Sequence, residues 1–291
     1  MCKPASVTRF APSPTGPLHL GHALAALTAA ARGQRFLLRI EDLDRARARP
    51  EWEVAIRADL AWLGLRWEEP VLHQSQRGAA YDAALGRLAA AGLTYRCLCT
   101  RGDIRAALSA PQEGEPGPDG PVYPGTCRVA GHTEGAVRLD MARAMAAVGG
   151  SVSFVESGTR PGRHLFTAAQ MIATVGDVVL ARRDVGAAYH LAVVVDDAAQ
   201  GVSEVTRGED LFSATPLHVL LQHLLGLPVP AYHHHRLIRD ETGRRLAKRD
   251  DARALARFRA EGATPDDIRR MLGLAPAGPH SAHAAPHGAP P

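Results

Sequence analysis

The chain has 291 residues, of which 46% are hydrophobic and 22% charged, a balance typical of one or two globular domains. The formal net charge is +4, but residues 236–259 hold nine Arg or Lys against four Asp or Glu, a net of +5, so the remainder sums to −1. This basic segment favours a polyanionic partner, with a solvated helix face as the alternative. No apolar run reaches the roughly 18 residues of a membrane span and no signal-peptide layout begins the chain, so we expect a cytoplasmic protein without a membrane or obligate protein partner.

The first predicted elements are a short strand that ends near Phe10, a loop rich in proline and glycine, and a helix that starts near His22. His19 and His22 therefore fall at a helix N-terminus, where unpaired N–H groups and a partial positive charge attract phosphate. Gly21 lacks the side chain that would keep a nucleotide from the backbone. Two ordinary histidines in a proline-rich loop are the alternative.

Residues 9–22, RFAPSPTGPLHLGH, resemble the first motif of the class I aminoacyl-tRNA synthetases in its glutamyl form. The resemblance implies ATP-dependent activation of glutamate, with Mg²⁺ accompanying the ATP. It implies that His19, Gly21 and His22 bind ATP, the two histidines being catalytic. It also assigns the start of the motif to the glutamate substrate, through Arg9, Phe10, Ala11, Pro12 and Ser13.

A buried strand is predicted at residues 35–40, directly before Glu41. In an open parallel sheet, ligands bind beyond the carboxyl ends of the strands, and an acid there can hold an ammonium group. In the glutamyl family the glutamate of R-I-E-D binds the amino acid, which implies this role for Glu41. For Asp42 and Asp44 a helix N-cap is the alternative. Amphipathic helices are predicted at 51–63 and 81–91.

Cys97 and Cys99 stand one residue apart, and Cys127 follows a loop at 109–121 that we expect to be mobile. In a cytoplasmic chain such cysteines favour a metal or free thiols over disulfides. Zinc takes four ligands, and from chemistry alone His132 or Asp103 is the natural fourth. Buried free thiols are the alternative to a metal.

The C-x-C pattern followed by Tyr123-x-x-x-Cys127 is similar to that of a truncated glutamyl-synthetase-like family, the glutamyl-queuosine tRNA(Asp) synthetases. That resemblance implies one structural Zn²⁺ per chain, held by Cys97, Cys99, Tyr123 and Cys127.

Residues 188–197, AYHLAVVVDD, form the strongest predicted strand, which would return the chain to the parallel sheet. The next segment, VTRGEDL at 205–211, resembles the glutamyl family and implies that Tyr189 and Arg207 line the amino-acid pocket. The planar fork of Arg207 suits a carboxylate. A core aromatic is the alternative for Tyr189. Three further strands are predicted, at 137–140, 151–155 and 177–180, and a helix is predicted at 215–225. The histidines at 233–235 alternate sides in a predicted strand and do not favour a metal site.

Residues 244–249, RRLAKR, resemble the second class I motif, K-L-S-K-[RQ], with Arg245 in place of the first lysine and Ala247 in place of serine. The chain has 34 basic residues, and only Lys3 and Lys248 are lysines. The resemblance implies that Lys248 is a catalytic ligand of the ATP phosphates. Helices at 251–262 and 264–272 and a disordered tail complete the chain. The resemblance covers residues 7–274 and includes no anticodon-binding domain.

The predicted fold is α/β, with a Rossmann-type parallel-sheet nucleotide-binding domain, a zinc-bearing insertion that splits it, and a helical C-terminal part. The two halves of the catalytic domain are predicted at 1–92 and 185–227, with the insertion between them at 93–184. A helical region with the second motif follows at 228–275, and the tail is at 276–291.

The resemblance implies that the protein makes glutamyl-adenylate from glutamate and ATP and attaches glutamate to queuosine in the anticodon of tRNA(Asp). One alternative is a shortened glutamyl-tRNA synthetase that charges tRNA(Glu). The others are a nucleotidyltransferase of the H-x-G-H group, which needs no RNA, and a non-catalytic RNA-binding paralogue.

Overall fold

The computed structural model describes residues 5–100, 102–104, 118, 120–183, 186–238 and 254–276. The chain divides into two compact units. The first comprises Met1–Glu41, Ala46–Leu72 and Leu237–Pro291, and the second comprises Asp42–Arg45 and His73–Arg236. Within the described part of the chain, no helix is both long and apolar enough to cross a membrane.

In its described residues, the first unit contains a three-stranded sheet and four helices. The strands lie in the order β1 (Val7–Phe10), β2 (Arg35–Ile40) and β3 (Glu68–His73), and β1 and β2 are parallel. The helices are α1 (Leu20–Arg32), α2 (Pro50–Trp62), α8 (Leu255–Ala260) and α9 (Pro265–Met271). The strand–loop–helix order predicted for the first 32 residues is confirmed.

Helix α1 packs closely on the sheet because the side chains it buries there are mostly alanine. Close packing lets the Thr8 hydroxyl of β1 donate to the Ala29 carbonyl at 2.7 Å. At Gly33, which ends the helix, an added Cβ would lie 2.2 Å from the Thr8 Oγ1. Only glycine therefore fits the turn from α1 into β2.

Helix α2 begins at Pro50, a residue suited to the first turn because it has no N–H to leave unpaired. The residue before it is Arg49, so the alternative in which Asp42 or Asp44 caps this helix is wrong. Asp42 instead accepts the backbone N–H and the hydroxyl of Ser75, at 2.7 and 2.6 Å. At α9, Thr264 forms the N-cap, in a capping box with Asp267.

The second unit contains two four-stranded sheets. One is antiparallel, in the order β4 (Thr94–Cys97), β5 (Ala136–Leu139), β8 (Val179–Arg182) and β9 (Gly186–Ala187). The other has the order β10 (Glu204–Gly208), β11 (Ala231–His235), β6 (Ser151–Glu156) and β7 (Gly162–Thr167), and only its β6–β7 pair is antiparallel. The helices are α3 (Gly78–Ala90), α4 (Met141–Ala147), α5 (Ala168–Thr174), α6 (Tyr189–Ala199) and α7 (Thr215–Leu224).

The strand predicted at 188–197 is wrong, because these residues form helix α6. Seven of the eleven residues of α6 are buried, and the helix packs against α3 and α7. A run that is apolar on all sides has no periodicity to separate a buried strand from a buried helix. The chain returns to parallel pairing in β10 instead. The strand predicted at 177–180 begins later, at Val179, and Asp177 before it accepts hydrogen bonds from Arg128 and Met141.

Several predictions from the sequence concern residues outside the described ones. They are the second motif at 244–249 with Lys248, most of the loop at 109–121, the start of the helix at 251–262, and residues 277–291 of the tail.

A buried carboxylate fixes α6 to α3. Asp196 accepts hydrogen bonds from Gln74 at 3.0 Å, from Arg77 at 3.2 Å and from the Tyr81 hydroxyl at 2.7 Å, and its side chain is fully buried. Asp196→Ala leaves these donors without their acceptor, so we expect it to lower the free energy of unfolding by about 3 kcal/mol. Urea denaturation followed by circular dichroism measures this change.

The matched control is Asp82→Ala on the exposed side of α3. We expect it to change the free energy of unfolding by less than about 0.5 kcal/mol. Equal losses in the two variants would show that the buried carboxylate does not hold the helices together.

Candidate functional site

The N-terminus of α1 is capped by the two histidines of the first motif. His19 is the N-cap, and its Nδ1 accepts the N–H of Gly21 at 3.1 Å, while the Nδ1 of His22 accepts the N–H of His19 at 3.2 Å. The two rings lie 3.8 Å apart between centroids. Because each Nδ1 accepts a hydrogen bond, each neutral ring carries its own proton on Nε2. The motif therefore presents ring N–H donors at the positive end of a helix, a combination that suits phosphate.

At Gly21 an added Cβ would lie 3.0 Å from a carbon of the His19 ring. A larger residue would therefore push the capping ring aside. Residues 254 and 255 lie beside the start of α1. Ala254 forms an antiparallel bridge with His19, and the N–H of Leu255 donates to the Leu18 carbonyl at 2.8 Å.

The residues of the first unit that are predicted to bind the substrate glutamate lie at the ends of two neighbouring strands. Arg9 and Phe10 close β1, the loop continues through residues 11–13, and the N–H of Glu41 donates to the Pro12 carbonyl at 3.0 Å. Glu41 thus follows β2 directly, as expected. Its carboxylate accepts from the Arg39 guanidinium at 3.2 Å, and the Arg39 side chain is completely buried. A buried cation beside Glu41 favours the ionised form of this carboxylate.

The second unit joins Tyr189 and Arg207 through a buried histidine. The His218 ring lies 5.8 Å from the Tyr189 ring, and its Nδ1 is 3.0 Å from a terminal nitrogen of Arg207. Since Arg207 can only donate, His218 Nδ1 accepts and its Nε2–H donates to the Nδ1 of His190 at 2.9 Å. The two residues implied by the resemblance therefore contact the same histidine, Tyr189 through its ring and Arg207 through a hydrogen bond.

Arg207 is buried, with 6% of its surface exposed. Its Nε donates to the Nε2 of His234 at 3.2 Å, and the ring of His234 contacts Glu156 through Nδ1. Burial, followed by the charge of Arg207, lowers the pKa of His234 to about 4. His234 is therefore neutral at physiological pH.

Tyr189 and His190 line a cavity of about 670 Å³ in the second unit. Its walls also include Arg138, Asp210 and the Cys99–Tyr123 side of the cysteine cluster. Arg207 is not part of this wall and lies behind it, next to His218. A cavity of this size, with several polar groups on an apolar wall, is typical of a small-molecule site.

The three cysteine thiols of the second unit converge, and their Sγ atoms all lie within 4.8 Å of one another. The Sγ atoms of Cys99 and Cys127 are 3.4 Å apart, and the Tyr123 hydroxyl is 3.4 Å from the Sγ of both Cys97 and Cys99. A tetrahedral zinc with Zn–S of about 2.3 Å and Zn–O of about 2.0 Å would place its ligands about 3.5–3.8 Å apart. The spacing therefore fits a metal ion, and these cysteines could hold one.

Ionisation differs among the thiols. Burial opposes ionisation of Cys127, but hydrogen bonds from the Tyr123 hydroxyl and the Leu98 backbone outweigh it and lower its pKa to about 6. Burial raises the pKa of Cys99. The guanidinium of Arg138 lies over the Tyr123 ring at 3.8 Å from its centroid and donates to the Asp177 carbonyl at 2.7 Å, which holds the ring in place.

His132 and Asp103, the candidates that ligand chemistry alone favours for the fourth position, are not in this cluster. Asp103 accepts from the N–H and the hydroxyl of Thr100, at 2.7 and 2.8 Å. His132 lies with Cys127 in the wall of another cavity. Among the described residues, the group that could hold a metal ion consists of the three cysteines, with the Tyr123 hydroxyl against them.

The sequence did not point to Glu156, His190 or His218 as residues of this region. All three are buried polar side chains in apolar runs. A histidine or glutamate within a predicted core segment is the available signal, since buried polar groups need partners.

Comparison with known proteins agrees with this geometry. The family model for the catalytic domain of class I tRNA synthetases (E and Q) matches residues 6–285. The chain is 60% identical to the glutamyl-Q tRNA(Asp) synthetase of Rhodobacter capsulatus over 92% of this chain and 100% of that protein. It is 47% identical to the glutamyl-Q tRNA(Asp) synthetase of Nocardia farcinica, over 91% of this chain and 82% of the relative.

Among solved structures, the glutamate-tRNA synthetase of Elizabethkingia anophelis superposes with a TM-score of 0.74 at 26% identity. The alignment covers 93% of this chain and 61% of that structure, so the chain spans about three fifths of its length. The α/β class and the parallel sheet predicted from the sequence are confirmed by this match. The chain belongs to the class I tRNA synthetases of the E and Q type and, within them, to the family of the glutamyl-Q tRNA(Asp) synthetases.

Proposed function

We propose that the protein activates glutamate with ATP and transfers it to queuosine in the anticodon of tRNA(Asp), in the cytoplasm. As a class I tRNA synthetase it is a ligase that uses ATP, an amino acid and a tRNA. The observation that carries the finer assignment is the 60% identity over the whole length of the glutamyl-Q tRNA(Asp) synthetase of R. capsulatus.

In the activation step, a carboxylate oxygen of glutamate attacks the α-phosphorus of ATP, and the bond to the departing pyrophosphate breaks. This step needs no proton transfer and no covalent bond to the enzyme. Catalysis then consists of placing the two reactants in line and stabilising the charge that develops on pyrophosphate. We assign the second task to His19 and His22, with Gly21 leaving space for the nucleotide, and to Lys248. Mg²⁺ bound to ATP would neutralise part of the phosphate charge.

Chain geometry is compatible with this role for Lys248. Ala254, bridged to His19, is six residues further along the chain. Six residues span at most about 21 Å, which is the greatest distance that the chain allows between the Cα atoms of Lys248 and Ala254.

The charges of glutamate match the assigned residues. Glu41 suits the ammonium group, and Arg207 suits a carboxylate with Tyr189 beside it. The strand end and loop residues Arg9, Phe10, Ala11, Pro12 and Ser13 complete the proposed glutamate site. In the transfer step, a hydroxyl of queuosine attacks the activated carbonyl and AMP leaves.

The proposed zinc would be held by Cys97, Cys99, Tyr123 and Cys127. Four protein ligands leave no open position, so the metal would stabilise the fold of the region predicted as an insertion and take no part in the chemistry.

The first prediction from this proposal is that the purified protein carries about one zinc per chain, and that Cys99→Ser or Tyr123→Phe weakens its retention. Elemental analysis after dialysis against a chelator measures the metal. Cys2→Ser, which changes the cysteine that is not among the proposed ligands, is the control and should keep its zinc. Less than about a tenth of an equivalent in the wild type, after expression with ample zinc, contradicts the assignment.

The second prediction is that Lys248→Ala lowers glutamate-dependent ATP–pyrophosphate exchange about 100-fold, the scale expected when a charge facing the transition state is lost. Arg245→Ala is the matched control from the same segment. It should lose less, because arginine already replaces the lysine of the motif there. Equal losses would show that the second motif has been aligned wrongly.

The third prediction concerns the acceptor. With ATP and labelled glutamate, we expect label on tRNA(Asp) that contains queuosine, and none on tRNA(Asp) without it or on tRNA(Glu). Label at the 3′ end of tRNA(Glu) would instead favour a glutamyl-tRNA synthetase, the activity named for the E. anophelis structure. Absence of glutamate-dependent exchange would favour the non-catalytic alternative.

The basic segment at 236–259 is our proposed contact for RNA phosphates. Two of its described arginines already have partners in the chain, Arg257 with Glu261 and Arg259 with Asp59.

A further inference from the structure

Arg207 is a buried cation without a carboxylate in contact. Its Nε donates to His234, one terminal nitrogen to His218, and the other to Thr215 at 2.8 Å and to the Leu211 carbonyl at 3.2 Å. Among the described residues, no Asp or Glu oxygen lies within ion-pair distance of its guanidinium. An unpaired buried charge is costly, so its stability requires compensation from further away.

A candidate for that compensation is Glu156, which is joined to Arg207 through His234. The two side chains are both fully buried, and the His234 Nδ1 lies 2.5 Å from the Glu156 Oε2. The other carboxylate oxygen accepts the backbone N–H of His234 at 3.0 Å and also the N–H of Gly158. At Gly158 an added Cβ would lie 2.0 Å from the His234 carbonyl oxygen, so the loop closes tightly over this pair.

Only one arrangement of protons satisfies the hydrogen bonds that join Arg207, His234 and Glu156. Arg207 Nε can only donate, so the Nε2 of His234 must accept. Neutral His234 then carries its proton on Nδ1, which donates to Glu156. Both contacts of the imidazole are satisfied only when Glu156 is an ionised acceptor and Arg207 a donor.

We propose that Glu156 and His234 are positioning residues for substrate binding: they orient the Arg207 guanidinium and supply the negative charge that keeps it buried until the substrate carboxylate binds. The inference rests on the proposed function, in which Arg207 binds a carboxylate of glutamate. A purely structural role, in which Glu156 only ties β6 to β11, is the competing interpretation.

The two interpretations differ for Glu156→Gln, which conserves shape. The amide has one oxygen and one NH₂ group. If the oxygen keeps the two backbone N–H groups, the NH₂ faces the His234 Nδ1 and forces the proton to Nε2. His234 Nε2–H and Arg207 Nε–H then repel each other, so the guanidinium loses its orientation although the sheet keeps its hydrogen bonds.

Substitutions of His234 separate its two contacts. In His234→Asn, the amide can occupy the place of Nδ1 and still donate to Glu156, but Arg207 Nε loses the acceptor that His234 Nε2 provides. In His234→Gln, the amide oxygen can reach the place of Nε2 and accept from Arg207. The control is Gln222→Leu, since Gln222 is buried on the neighbouring α7, accepts from the Tyr232 hydroxyl at 3.3 Å, and makes no hydrogen bond to Arg207.

The experiment measures ATP–pyrophosphate exchange over a range of glutamate and ATP concentrations, with and without tRNA. We expect Glu156→Gln and His234→Asn each to raise KM for glutamate about tenfold and to change KM for ATP less than about twofold. His234→Gln should recover most of the loss. Because the two residues act on Arg207 in series, the double variant Glu156→Gln/His234→Asn should be no worse than His234→Asn alone. Gln222→Leu should leave both KM values unchanged.

The proposal is overturned if Glu156→Gln leaves KM for glutamate unchanged, if KM for ATP rises equally, or if His234→Gln is as impaired as His234→Asn. If Glu156→Gln does not fold, the comparison of the two His234 variants decides, since both retain Glu156. A wild-type protein without glutamate-dependent exchange would refute the proposed function itself. Wild-type exchange with unaffected variants would refute only the role of Glu156 and His234.

Discussion

The proposed site depends on charged side chains that keep a fixed orientation although they are shielded from water. In each unit, a buried partner contacts the proposed substrate-binding residue directly or through one other side chain. Arg39, completely buried, donates to Glu41, and Glu156 acts on Arg207 through His234. Such groups are ready for a charged ligand before it arrives, which reduces the reorganisation that binding would otherwise require.

The sequence could predict those parts of the site in which position along the chain determines position in space. The strand, loop and helix of the first 32 residues place His19 at a helix N-cap, and Glu41 follows β2 directly. It could not predict the cluster around Arg207, because its members come from distant elements. Glu156 and His234 are 78 residues apart. Helix α6 was missed for a related reason, since burial on all sides removes the periodicity that identifies a helix.

The cysteine cluster shows how a family resemblance and geometry complement each other. Ligand chemistry favoured His132 or Asp103 over tyrosine, whereas the structure places the Tyr123 hydroxyl against the thiols and Asp103 in a turn with Thr100. Local features explain the position of Tyr123. Arg138 covers its ring, and the N–H of Cys127 donates to its oxygen at 2.9 Å. These contacts fix the phenol oxygen against the thiols, where the family resemblance implies a ligand.

The stability of the fold does not by itself explain the buried polar cluster of the second unit. Replacing buried ionic groups with apolar side chains of the same volume often leaves stability unchanged or increases it. A core with hydrocarbon in place of Glu156, His234 and Arg207 would therefore serve the packing of β10, β11 and β6 equally well. What such a core would lack is a guanidinium held at a fixed angle by His234, His218 and Thr215. The cost of dehydrating these groups is thus best explained by the carboxylate that Arg207 is proposed to bind.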